Sequence, residues 1–298
     1  MSTKPKIRIG TDSFADLLSA SNVFVDKSLF IKEFLEDSAK VVLVTRPRRW
    51  GKSLNMDMLR CFLSIEVDQQ GVPLPKEQCS NYQLFAGGEI ALPTGQTKQL
   101  SALKIAQHQE LMAAYQGQFP VISLGFKDVK GSSYQEIEES IKDQVINLYD
   151  QHVYLQNQAW LTNNQRRQLD KYLNGEILAV DIKISLKFLN EPLYRHFDQP
   201  VFVLIDEYDT PINSAYLEFK DRPGEFEQVL KLFRGLFGAT FKSNPYLEQG
   251  LITGILRVAK ANLFSDLNNV REYTLLDKRF APSYGFTQIG RASCRERV

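Results

Sequence analysis

The stretch VVLVTRPRRWGKSL, residues 41–54, decides the fold. Its first five residues, Val41–Thr45, are apolar and mostly β-branched, as strands covered on both faces tend to be. Its close, Gly51-Lys52-Ser53, has the pattern of a phosphate-binding loop. The glycine lets the backbone approach an anion, the lysine reaches β- and γ-phosphates as a point charge, and the serine hydroxyl ligates Mg²⁺. A helical pattern over Lys52–Leu63 follows, so its N-terminal amides and dipole would face the same phosphates. The position five before Gly51, where such a loop ordinarily opens with glycine, holds Arg46. Pro47 next to it favours extended backbone at Arg46. Alone, the stretch leaves two readings open: a nucleotide site with an unusual opening, or a chance GKS among basic residues.

A second stretch decides between them. VFVLIDEYDTPI, residues 201–212, is an apolar strand running into Asp206-Glu207. An acid at the carboxyl end of a strand, where ligands bind in open α/β sheets, suits Mg²⁺, with Asp206 as the metal residue. The adjacent Glu207 suits polarising an attacking water. The blander reading is a strand end, with Asp209 starting a turn before Pro211. A third stretch, LITGILRVAK at 251–260, puts Thr253 near a strand end and Arg257 just beyond it. Thr253 would sense the γ-phosphate and Arg257 would neutralise transition-state charge. Equally, the two are a core β-residue and a surface charge.

The rest of the chain alternates short apolar runs with longer amphipathic ones, the signature of α/β with a parallel sheet. Further strands are expected at Pro120–Phe126 and Leu251–Ile255, with a fifth at Arg271–Leu275. Helices are expected at Asp26–Glu36, Ser133–Leu155, Thr162–Leu173, Ile177–Leu189 and Glu225–Lys242. Residues 64–117, rich in Gly and Pro with little periodicity, are expected to be an insertion or long loop. Residues 149–197 are a helical segment beside the sheet.

VFVDKSLFIKEFLE (23–36), VTRPRRWGKSLNMDML (44–59), FPVISLGFKDVKGSS (119–133), VLIDEYDTPI (203–212), TGILRVAKANLFSDLNNV (253–270) and YTLLD (273–277) occur in that order. In these segments the chain resembles the AAA-ATPase-like family of bacterial and archaeal P-loop proteins, from Ile9 to Gln288. The RPRR-aromatic-GKS form is the family's own, so Arg46 favours the resemblance. It implies a P-loop NTPase fold with an extra strand between the two nucleotide motifs, PVISLGF being that strand. Members often continue into a nuclease-like PD-(D/E)XK domain, which here would begin after Gln288. The implied roles agree with those above: Lys52 and Ser53 on phosphate and Mg²⁺, Asp206 on Mg²⁺, Glu207 on water.

The expected function is therefore an ATP-binding and ATP-hydrolysing switch domain, the alternative being a non-catalytic, nucleotide-gated protein-interaction module. Lys52, Glu207 and Arg257 are the catalytic candidates, and Ser53 and Asp206 the metal ligands. The nucleotide-contacting run is Arg49, Trp50, Gly51, Lys52, Ser53 and Leu54, joined by Thr253. Within it, Arg49 either meets phosphate or pairs with an acid, and Trp50 either stacks on adenine or packs. ATP and Mg²⁺ are the implied cofactors. A protein partner or a second copy would complete the site, and nucleic acid enters by family analogy alone. A GTPase is disfavoured because no Asn-Lys-x-Asp motif occurs.

Composition sets wider bounds. With 43% hydrophobic and 24% charged residues, the chain has the balance of a soluble globular protein. The final ten residues, IGRASCRERV, match the translation of a common short-read sequencing adapter, so Ile289–Val298 is read as an artefact. Without them 33 basic residues stand against 34 acidic ones, net −1, which does not mark a nucleic-acid binder. Cys61 and Cys79 have no metal-like spacing, and the three histidines are scattered. No apolar run reaches membrane-spanning length and no signal peptide opens the chain, so the cytoplasm is expected.

Overall fold

The computed structural model describes residues 10–21, 24–92, 95–255, 263–264 and 267–285. Helix α1 (Phe14–Ala20) starts at Ser13, whose side chain accepts from the Asp16 amide. Helix α2 (Leu29–Leu35) starts later than its pattern suggests. The Asp26 carboxylate accepts instead from the amides of Ser28 and Lys104, tying two segments together. Strand β1 (Val41–Thr45) and helix α3 (Lys52–Leu63) have the expected spans.

Residues 64–117 hold more than a loop: α4 (Ser80–Ala86), an antiparallel hairpin of β2 (Gly88–Ala91) and β3 (Thr97–Leu100), and α5 (Gln109–Tyr115). None exceeds seven residues, too short for a periodic pattern to emerge. After β4 (Val121–Gly125) come three longer helices. Helix α6 (Tyr134–Asp150) is capped by Ser133, and α7 (Asn163–Leu173) by a reciprocal Thr162–Gln165 capping box. Helix α8 (Ala179–Phe197) runs past the expected end at Leu189 and through Pro192. The chain then forms β5 (Val201–Asp206), α9 (Thr210–Glu218), α10 (Pro223–Phe241), β6 (Leu247–Gly254) and β7 (Val270–Tyr273).

Five strands make one sheet in the order β4-β5-β6-β1-β7, every neighbouring pair parallel. The strand PVISLGF separates the two motifs in sequence, but in space it is β4, at the sheet edge. The strand standing between β1 and β5 is β6. Burial accounts for this: every residue of β6 except Glu248 is buried, whereas β4 alternates buried and partly open positions.

Both faces of the sheet are covered, as the continuously apolar runs of β1 and β5 require. Val41, Leu43, Val203 and Ile252 face a core shared with α6, α8 and α10 through Ile141, Leu189 and Phe233. Val42, Val44, Phe202 and Leu251 face a second core shared with α2 and α3 through Phe34 and Phe62. The carboxyl ends of β1, β5 and β6 consequently emerge side by side, and the loops that leave them build the candidate site.

Candidate functional site

The loop from β1 to α3 reaches its turn without a glycine at position 46. Its left-handed residues are Arg49 (φ 66°) and Gly51 (φ 80°), so Arg46 needs no such freedom. Gly51 occupies the N-cap of α3 and no side chain caps that end. The amides of the first turn are thus left for an anion. The Lys52 side chain is buried and its ammonium donates to the carbonyls of Arg46 (3.0 Å) and Pro47 (3.1 Å). Burial lowers its pKa; Asp206 opposes the shift most strongly, then Glu207 and Asp209.

On the acidic side, Asp206 ends β5 and its Oδ1 accepts from the Glu207 amide (2.9 Å) and the Thr253 hydroxyl. Thr253, on β6, thus fixes the Asp206 carboxylate and leaves Oδ2 for another partner. Glu207 sits at φ 52°, a conformation that strains a residue with a β-carbon. Its Oε2 accepts from the Thr210 hydroxyl at 3.1 Å. Buried Asp209 accepts from the Ile255 amide (3.0 Å) and Asn213 (3.2 Å), fastening the end of β6 to α9.

A cavity of about 170 Å³ is lined by Ser53, Asp206, Asp57, Asp12 and Ser123, among others. It joins Ser53 and Asp206, the two metal candidates. Asp57 was not singled out by sequence, although it lies one turn beyond Ser53 on α3. Its carboxylate accepts from the Phe14 amide (2.7 Å) and pairs with Arg60. A roomier cavity, about 320 Å³, opens at the other end of α3 beside Cys61, Glu66 and His196. It does not border the start of α3, whereas the smaller one is lined by Ser53 and is the candidate site.

The remaining predicted residues are placed as follows. Arg48 and Arg49 are exposed and neither pairs with an acid among the described residues. Trp50 packs on Gly285, where an added Cβ would lie 2.8 Å from the indole ring. Leu54 packs partly buried against the second core. Arg257 lies outside the described residues, as does Ile289–Val298. Among the described residues no helix is long and apolar enough to cross a membrane.

The family description "Predicted AAA-ATPase" matches residues 8–73 and 91–264, taking in the loop, β5 and Thr253. The chain belongs to this AAA-ATPase-like family. Membership supports nucleotide binding. An uncharacterized protein in the vnfD 5′ region of Azotobacter chroococcum mcd 1 is 23% identical over 287 residues. The alignment spans 96% of this chain and 44% of that protein, so the chain covers under half of its curated relative. No solved structure matches this AAA-ATPase-like chain.

Proposed function

We propose that the protein is a Mg²⁺-dependent ATP-binding and ATP-hydrolysing switch domain. One observation carries this: Ser53, beside Lys52 at the start of α3, and Asp206, at the end of β5, line one cavity. A buried ammonium next to Ser53 in the chain, with an acid-bearing strand end on the cavity that Ser53 lines, suits phosphoryl chemistry.

The donor set fits Mg²⁺. Ser53 Oγ and Asp206 Oδ2 are hard oxygens of the kind that ion takes. Among the described residues no group of three His, Cys, Asp or Glu is placed to hold a metal by itself. Mg²⁺ held by one or two protein oxygens and substrate phosphates needs none. When bound, the ion would neutralise negative charge developing on the phosphate oxygens. The chain's own residues do the rest. Lys52 exchanges its two carbonyl partners for phosphate oxygens. The first-turn amides of α3 and the exposed Arg49 hold further oxygens. Thr253 keeps Asp206 turned so that one oxygen stays available. Glu207 orients the attacking water through Oε1, while Thr210 holds Oε2.

Glu207→Gln tests the reading. The variant is expected to keep Mg·ATP binding and to lose turnover by about 100-fold, the usual contribution of a positioned base. A wild type that binds Mg·ATP but hydrolyses it no faster than Glu207→Gln would leave a nucleotide-gated interaction module in place of an enzyme. Calorimetry showing no heat with Mg·ATP would remove both.

A further inference from the structure

Arg46 is a buried cation that makes no direct ion pair among the described residues, although Asp277 in the segment after β7 attracts it. Its residue is 1% exposed, and its Nη1 donates to two carbonyls, Thr45 and Tyr273, at 3.0 Å each. These are the last residues of the adjacent strands β1 and β7. The guanidinium lies 5.5 Å from the centre of the Tyr284 ring. Arg46 Nη2 and the Tyr284 hydroxyl have no hydrogen-bond partner among the described residues. Burying a guanidinium without a carboxylate bonded directly to it is unfavourable unless other groups compensate. Here two carbonyl dipoles and an aromatic face hold it directly behind the loop whose carbonyls receive Lys52.

The segment after β7 touches that loop repeatedly. Tyr284 meets Arg46, the Gly285 amide donates to the Trp50 carbonyl (3.1 Å), and Asn55 on α3 donates to the Ser283 carbonyl (2.9 Å). Lys27 donates to the Gly285 carbonyl from the far side. The contacts therefore fall on both flanks of Gly51-Lys52-Ser53.

We propose that residues Thr274–Gly285 form a strap that positions the phosphate loop, with Arg46 and Tyr284 as its positioning residues. The inference rests on the nucleotide-binding reading above. The strap replaces the opening glycine by another device: the loop is shaped by being held from behind rather than by free backbone. The buried guanidinium also adds a fixed positive charge close to where phosphates bind.

Calorimetric titration of Mg·ATP into the full chain tests this. Tyr284→Ala and Arg46→Met are expected to weaken binding by about tenfold, the scale of effect when a loop is misplaced by a fraction of an ångström. Tyr284→Phe keeps the ring and loses only a hydroxyl without a partner, so it should stay within about twofold of wild type. Leu169→Ala, a cavity variant in the helical layer, controls for general loosening and should leave the affinity unchanged. In a Trp160→Phe background, where Trp50 is the sole remaining indole, Mg·ATP should shift the emission, and Tyr284→Ala should reduce that response. If Arg46→Met does not fold, Arg46→Lys decides: it keeps the charge, lacks the planar fork, and should still bind more weakly. Wild-type affinity in Tyr284→Ala, or an equal loss in Leu169→Ala, overturns the strap. A wild type that binds no Mg·ATP overturns the nucleotide reading and the strap with it, a result distinct from either.

Discussion

Two residues of the site, Arg49 and Glu207, sit in the left-handed region without being glycine. Such positions cost on the order of 1 kcal/mol each, and functional sites retain them. Arg49→Gly is therefore expected to raise stability by about 1 kcal/mol while weakening Mg·ATP binding. Urea unfolding and calorimetry on one preparation check both signs, and a loss of stability would show that Arg49 is held by more than its loop. Lys52 gives a second expectation. Burial depresses its pKa from 10.5, so toward alkaline pH the free protein carries it partly neutral. A bound phosphate would draw the pKa back up, so binding takes up a proton there. Mg·ATP affinity should decline with rising pH from somewhere below 10.5, and a Lys52→Arg variant should lack that decline. A pH-flat wild-type affinity would separate the ammonium from the phosphates. Lys52, Ser53, Asp206 and Glu207 could be grouped as candidates because each stretch opens on a strand-like run, as β1 and β5 are. The surroundings of Arg46 were not legible: its partners Tyr273 and Tyr284 lie more than two hundred residues away, and nothing local signals a buried guanidinium.

At the scale of elements, the strand runs were easily read because parallel strands buried on both faces are continuously apolar. Boundaries slipped where tertiary contacts override local pattern. Asp26 looks like a helix cap but is drawn off to Lys104, and Pro192 looks like a stop but lies buried within α8. The short elements between α3 and β4 escaped notice because seven residues hold too little period. The turn after α6 carries a measurable consequence. His152 bonds Tyr154 through Nδ1, its buried Nε2 has no hydrogen-bond partner among the described residues, and burial lowers its pKa to about 4. The folded pKa lies below the unfolded value of 6.5, so the unfolded chain binds the extra proton between them. The resulting stability is present above pH 6.5 and is lost as pH falls toward 4, by about 3 kcal/mol in all. His152→Phe should flatten that slope in urea melts at pH 7 and pH 4.5. Parallel pH dependence in both proteins would assign the acid sensitivity elsewhere. At α7, Thr162→Ala removes the cap and should destabilise by about 1 kcal/mol.

Taken whole, the molecule is a sheet with one helical layer over each face. The sequence predicted the layers through alternating strands and amphipathic helices, but not the spatial order of the strands. Apolar runs say that a strand is buried without saying which neighbour it has. That order matters for how the protein is made. The strands that lead to the lysine and to the acid pair, β1 and β5, are separated by β6 and so lie about 10 Å apart at normal strand spacing. The spacer is encoded after both of them. A nascent chain released before Leu247 would already carry both motifs, yet its two half-sites would have no gauge to hold them at the right separation. Competence to bind nucleotide should accordingly arrive late in synthesis and in one step, as β6 slots between its older neighbours.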